Sequence, residues 1–203
     1  MVCPPAMQLP ISNPVAGAAG DADDALVRAA QGDPRAFAAL YLRYVDLVYR
    51  YCDRRLGSRE AAEDATSLVF AKALAALPRY RTSGPSFRSW LFAIAHNVVV
   101  DAQRATHSTQ PIDSIGDRAD REPGPEAALL AAEERWTIDR LLAQTAPDQR
   151  RVLELRLAGL TTAEIAAALN RKSGAIRAIQ FRAVTRLREV LTRDSWQREV
   201  GDA

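Results

Sequence analysis

The stretch Thr161–Arg188, TTAEIAAALNRKSGAIRAIQFRAVTRLR, leaves the chain little local choice. Thr161 and Glu164 have the spacing of a capping box, so a helix begins there. Ile165, Ala166 and Leu169 give that helix a buried stripe, with a small residue where a second helix must come close. Asn170 stands at the turn, and Asn is the non-glycine residue that best tolerates a left-handed backbone. Ser173 is placed to cap a second helix. Along it Ile176, Ile179, Ala183, Leu187 and Val190 recur at helical spacing. The other face carries Arg171, Lys172, Arg177, Arg182, Arg186 and Arg188, and Glu189 is the one acid up to Leu191. A helix apolar on one side and cationic on the other, following a helix and a tight turn, fits a helix-turn-helix reader of the major groove. A surface helix with a solvated basic face is the plainer alternative. The agreement of cap, turn and charge weighs against it.

The rest of the chain is punctuated in the same helical style. Residues 1–23 form a tail, rich in Pro, Ala and Gly over its first 20 positions, and are expected to be disordered. Asp24 to Gln31 reads as a short helix. Asp33-Pro34 is a cap followed by proline at the first helical position, and a long helix runs on to about Leu56. Phe37, Leu40, Tyr41, Tyr44, Val45, Val48, Tyr49 and Cys52 lie on its apolar side, and Gly57 ends it. Ser58 starts the next helix, which carries Ala62, Ala65, Val69, Phe70 and Leu74 and stops before Pro78. The basic loop PRYRTSGP, Pro78 to Pro85, precedes a fourth helix from about Ser86 to Ala105. Its apolar positions are Phe87, Trp90, Leu91, Ile94, Val98 and Val99.

Helical spacing stops at Thr106. Up to Pro125 the chain is rich in Pro, Gly, Ser and Asp, which reads as a flexible, self-repelling acidic linker. A second unit, residues 126–193, opens with a helix from Ala127 to Thr145. Pro147 begins another that ends at Gly159, and the basic helix-turn-helix completes it. Residues 194–203 form a short C-terminal tail. No segment has strand periodicity. The expected fold is all-α: two small helical domains, 24–105 and 126–193, joined by the linker 106–125.

The net charge of +2 conceals charge blocks. Lys72 to Arg104 holds Lys72, Arg79, Arg81, Arg88 and Arg104 against Asp101 alone, Asp113 to Glu126 is acidic, and the last helix is basic. Two of these surfaces suit phosphate. Cys3 and Cys52 lack CxxC spacing, which argues against a disulfide scaffold and a structural zinc site. No window approaches the ~20 apolar residues of a membrane span, and the N-terminus lacks a signal-peptide pattern. A cytoplasmic, reduced protein is expected. There is no P-loop, nucleophile elbow, HExxH, Rossmann glycine pattern or pair of catalytic carboxylates, and His96 and His107 have no partner identifiable from sequence. No catalytic role, metal or cofactor is expected.

The segments FAALYLRYVDLVYRYCDRRLG, AEDATSLVF and FRSWLFAIAHNVVVDAQR resemble, in order and spacing, region two of the extracytoplasmic-function (ECF) sigma factors of the sigma-70 family. APDQRRVLELRLAGLTTAEIAAALNRKSGAIRAIQFRAVTRLR is similar to region four of the same family. The likeness covers about residues 24–192. It implies a bacterial transcription initiation factor that binds core RNA polymerase, directs it to promoters and helps open the DNA. The helix with Glu63, Asp64 and Phe70 then corresponds to the surface that docks on the beta-prime clamp helices. Ser67 and Leu68 stand where the family often has glutamine and glutamate. The basic loop and fourth helix correspond to the element that opens the minus-ten region. Arg79, Arg81 and Arg88 are candidates for the phosphate track, Asn97 and Asp101 for an extruded base, and Arg104 lies one turn on. Trp90 shares the apolar stripe with Ile94, so a place in the core is favoured for it over stacking on bases.

For the minus-thirty-five element the candidates are Lys172, Ser173, Arg177, Gln180, Arg182 and Arg186. Arg177, near the helix start, is the strongest. Arg186, with Arg188, suits phosphate or the beta flap better. Ile179 and Gln180 invert the polarity that the family often shows there. An anti-sigma factor is a further partner that the resemblance allows. A stand-alone helix-turn-helix regulator is the competing reading, and it leaves the region-two segments unexplained.

Overall fold

The computed structural model describes the backbone of residues 16–109 and 137–201 and the side chains of 23–106 and 137–193. Expectations for residues 1–15, for most of the linker and for the helix start at 126–136 lie outside the described residues, as does the side chain of His107. Among the described residues every regular element is helical. The α-helices are α1 (Ala16–Gly32), α2 (Phe37–Leu56), α3 (Arg59–Ala76), α4 (Phe87–Thr109), α5 (137–143), α6 (Pro147–Leu157), α7 (Thr162–Ala168) and α8 (Ser173–Gly201). Short 3₁₀ turns at Pro34–Ala36 and Leu77–Arg79 lead into α2 and out of α3.

The punctuation residues act where their chemistry says. Asp33 accepts from the Arg35 amide at 2.9 Å, and Pro34 occupies the first position of the turn. Gly57 closes α2 at φ 71°, a left-handed conformation that costs glycine nothing. Ser58 caps α3 by accepting from the Ala61 amide at 3.4 Å. Pro78 lacks a donor, and α3 gives way to the 3₁₀ turn one residue before it. Thr161 and Glu164 form the expected capping box, and Asn170 takes φ 51°.

Several boundaries differ from expectation. α1 begins at Ala16, inside the stretch read as a tail; three of the five residues Ala16–Gly20 are alanine, the best helix former. α4 runs to Thr109 and α8 to Gly201, past the positions where apolar spacing fades. Ser173 is the first residue of α8, not its cap: the carbonyl of Lys172 already accepts from the Ile176 amide at 3.2 Å.

α2, α3 and α4 pack together around Leu40, Tyr44, Val48, Tyr51, Val69, Phe87, Leu91 and Phe92, with Val27 of α1 closing one side. Burying each such side chain contributes about 1.5–3 kcal/mol. Tyr51 and Phe92 were not in the expected stripe; their rings meet edge-to-face at 5.7 Å. Leu74 and Tyr41 are 40% and 41% exposed, so the apolar stripe is narrower than its spacing implied, and Ala73 takes the inward position on α3. In the second unit Val152, Leu155, Leu160, Ile165, Ile176 and Ile179 form the core. The two sets of buried residues make one continuous cluster, because α7 packs against α4.

Candidate nucleic-acid interface

The helix-turn-helix is α7 and α8. Glu164 accepts from the Thr161 amide at 2.8 Å while Thr161 Oγ1 accepts from the Glu164 amide at 3.2 Å, which satisfies two orphan donors at the start of α7. The left-handed Asn170 reverses the chain, and the Arg171 amide donates to the Ala166 carbonyl at 2.8 Å. α8 then turns Ile176, Ile179, Ala183 and Val190 inward. Its opposite face is left to solvent. Lys172, Arg177 and Arg182 are exposed there. Ser173 is half-buried. Arg186 is half-buried too and pairs with Glu189 at 3.3 Å. Arg171 is held by Asp148 at the start of α6, which fixes the turn.

Ile179 is buried, so its departure from the family pattern puts the apolar residue where the core needs one. Gln180 lies at the edge of the α7–α8 contact. Its Oε1 accepts from Thr162 Oγ1 at 3.3 Å, leaving the amide nitrogen for another partner. Sequence reasoning passed over Phe181, which is 75% exposed beside Arg182 and one turn after Arg177. A large apolar ring left in water on a basic helix face was the available signal.

The first unit presents a second surface. Asn97, Asp101 and Arg104 are exposed at intervals of four and three along α4, so they share one face. Asp101 and Arg104 approach to 4.0 Å. The loop before α4 is pinned from within: Gln31 Nε2 donates to the carbonyls of Leu77 and Tyr80 at 2.9 and 2.8 Å, and Tyr80 Oη donates to the Pro85 carbonyl at 2.8 Å. Burial pushes the Tyr80 phenol up to about 12, which keeps it a donor. Arg79 and Arg81 remain exposed on this loop. Arg88 does not: its Nη1 donates to the Gly159 carbonyl at 2.9 Å, in the second unit. Phe87 is fully buried against Tyr44 and Tyr80, and Trp90 packs at a tilt against both Tyr80 and Phe87, so these rings serve the core.

On α3, Glu63 and Asp64 are exposed, and Glu63 is paired with Arg59 at 2.8 Å. Phe70 is 5% exposed, packed edge-on against Phe37 and Tyr41, so in this structure it supports the helix from inside. Tyr41 covers it at 4.8 Å and is the aromatic group that faces outward. His96 is partly buried, its Nδ1 3.2 Å from Tyr51 Oη; burial, with Arg151 and Arg55 adding repulsion, pushes its imidazole down to about 4. Among the described residues no group of His, Cys, Asp or Glu could hold a metal ion, and no helix is long and apolar enough to cross a membrane.

A helix-turn-helix on which Lys172, Arg177 and Arg182 are exposed without an ion pair among the described residues, beside a second polar helix surface, defines a DNA-binding transcription protein. The family comparisons are more specific. Residues 40–109 match the model of Sigma-70 region 2, and residues 135–187 match that of Sigma-70 region 4. The chain is 39% identical over 173 residues to the ECF RNA polymerase sigma factor ShbA of Streptomyces griseus, covering 79% of this chain and 90% of that protein. It is 34% identical to the ECF sigma factor SigD of Mycobacterium tuberculosis over 178 residues, 84% of each chain. Among solved structures it is similar to CnrH in complex with the cytosolic domain of CnrY, with a TM-score of 0.66, 26% identity, and coverage of 86% of this chain and 99% of that one. The chain belongs to the ECF sigma factors of the sigma-70 family. It is a promoter-specific transcription initiation factor that partners RNA polymerase.

Proposed function

We propose that α8 reads the minus-thirty-five element and that the loop 78–85 with α4 reads and opens the minus-ten element. The observation that carries this reading is the outward face of α8. Lys172, Arg177 and Arg182 stand exposed there without an ion pair among the described residues, beside the exposed ring of Phe181. Arginine near the start of such a helix can grip guanine through two hydrogen bonds, and a phenyl ring can pack on a thymine methyl. Ser173 and Gln180 flank that face, and Arg186 sits further along, where phosphate is the nearer target.

On α4, Asn97 and Asp101 contact an extruded non-template base, while Arg79, Arg81 and Arg104 hold the strand through phosphates. Glu63 and Asp64 pair with basic residues of the beta-prime clamp helices, and Tyr41, exposed over the buried Phe70, supplies the apolar contact. The units at 24–105 and 126–193 carry these roles through the linker 106–125. The protein acts in the cytoplasm as a binding factor, and polymerase performs the chemistry. CnrH is found in complex with the cytosolic domain of CnrY, which supports an anti-sigma partner for this chain as well.

Run-off transcription with purified core polymerase on DNA from upstream of the gene for this protein tests the reading. A discrete transcript that requires the protein is expected. Tight duplex binding by the free protein, with no transcript, would favour a stand-alone regulator.

A further inference from the structure

The loop that leads into α4 is tied down at both ends, and Tyr80 takes part at each of them. At the start, the Tyr80 amide donates to the Leu77 carbonyl at 3.0 Å. Gln31 Nε2 donates to the carbonyls of Leu77 and Tyr80 at 2.9 and 2.8 Å. A primary amide has two N–H groups, and here each serves one carbonyl. At the far end Tyr80 Oη donates to the Pro85 carbonyl at 2.8 Å, and Ser86 then caps α4 by accepting from the Ser89 amide at 3.3 Å. Between these anchors the chain makes one turn, in which the Gly84 amide donates to the Arg81 carbonyl at 3.1 Å. The turn is close: a Cβ added at Gly84 would lie 3.3 Å from that carbonyl oxygen. Arg81, Ser83 and Gly84 are exposed at its tip.

α1 does not depend on Gln31 to stay in place. Val27 and Ala30 bury its inner side, and the buried Asp23 accepts from Tyr44 Oη and lies 3.2 Å from Arg43 Nε. Gln31 is exposed one residue before the end of α1, and both bonds from its amide go to the loop. The Tyr80 ring is likewise seated without its hydroxyl, edge-on to Phe87 at 5.9 Å and tilted against Trp90 at 5.0 Å. The Gln31 amide and the Tyr80 hydroxyl are therefore separable from the packing, and what they act on is the shape of the loop.

That shape matters for a reader of extruded bases. Thr82, Ser83 and Gly84 are turn residues, and an unanchored chain of them samples many conformations that must be given up when a base is held. A loop free to re-pack also fits the wrong base, whereas one held in a single conformation discriminates.

We propose that Gln31 and Tyr80 are positioning residues for the minus-ten reader: they clasp the loop in one conformation, and the sharpness of base choice at the minus-ten element depends on that clasp. The consequence rests on the promoter reading above, but the clasp itself is measured in the free full chain. Tyr80→Phe removes one hydroxyl. Gln31→Met removes both donors at similar volume and unchanged charge, and Gln31→Lys puts donors back at the same place. Hydrogen exchange of the Gly84 amide, followed by NMR, reads the loop. It should quicken roughly 2–12-fold in Tyr80→Phe and in Gln31→Met, the factor that one net hydrogen bond supplies. In Gln31→Lys it should return to within about twofold of wild type. Melting temperatures should stay within about 5 °C of wild type. In run-off transcription with core polymerase, on promoters varied one base at a time, the preference for the best over the worst minus-ten base should narrow roughly 2–12-fold in the first two variants. The minus-thirty-five preference should not change. Unchanged Gly84 exchange in Tyr80→Phe and Gln31→Met, or a Gln31→Lys that behaves like Gln31→Met, overturns the clasp. Faster exchange with an undiminished minus-ten preference, or with equal narrowing at both elements, overturns its role in base choice. Faster exchange beside a wild type that shows no base preference anywhere in the minus-ten element upholds the clasp and counts against the assignment of the loop to that element instead.

Discussion

Arg177 and Ile176 are neighbours in sequence and opposites in the fold, and a paired substitution turns that into a test of the recognition helix. Ile176 of α8 is fully buried, whereas Arg177 is exposed without an ion pair among the described residues. Ile176→Ala removes a buried side chain and leaves a cavity, which costs about 2–5 kcal/mol of stability. For a chain of this size that corresponds to a fall in Tm of roughly 4–20 °C. Arg177→Ala breaks no hydrogen bond or ion pair among the described residues and replaces an exposed arginine by the best helix former, so stability should stay within about 0.5 kcal/mol. Its cost should fall on promoter choice. Losing a two-bond grip on one guanine removes about 1–3 kcal/mol of discrimination, a factor of roughly 5 to 150. Thermal unfolding followed by circular dichroism reads the first effect. Run-off transcription on promoters varied one base at a time in the minus-thirty-five element reads the second. A uniform loss on every promoter would make Arg177 a phosphate contact. A Tm drop in Arg177→Ala comparable to that in Ile176→Ala would refute the assigned helix face.

The remaining predictions concern the other surfaces and the partly buried His96. Asn97→Ala with Asp101→Ala should lower open-complex formation about 10–30-fold at two lost polar contacts, measured by permanganate reactivity, while closed-complex formation persists; normal opening removes both residues from the melting role. Phe181→Ala should leave the melting temperature unchanged, since the ring is 75% exposed, and weaken transcription from promoters that place thymine under it. His96 gives a pH dependence with a definite sign. Its imidazole is held neutral down to about 4 in the folded protein, while the unfolded chain takes up a proton near 6.5, so stability is full above ~6.5 and declines as pH falls toward 4. Allowing for its partial exposure, the loss between pH 7.5 and pH 5 should be about 1–2 kcal/mol in urea unfolding, and His96→Gln should flatten it. Burial pushes the Glu154 carboxyl up against the pull of Arg55 and Arg150, so its protonation acts in the opposite direction; the difference between wild type and His96→Gln isolates the histidine.

The elements that sequence determined by itself are those set by neighbours within one or two helical turns. The capping box at Thr161 and Glu164, the left-handed Asn170, the Asp33-Pro34 start and the Gly57 stop depend on spacings of three or four residues, which a local reading contains in full. The inward face of α8 follows from the same periodicity, and its basic outer face with it. What only the tertiary structure decided depends on partners far along the chain. Phe70 and Tyr41 both lie on apolar stripes, and the packing of α2 on α3 is what buries one and exposes the other. Glu154 lies in α6, where helical spacing alone gives no reason to bury a carboxylate, and Arg88 reads as a candidate for the phosphate track. Their partners are Arg55, 99 residues away, and the Gly159 carbonyl, 71 residues away. Periodicity tells which side of a helix is apolar. It carries no information about which distant surface will cover a polar side, and that surface decides whether a charge is spent on DNA or on the protein itself.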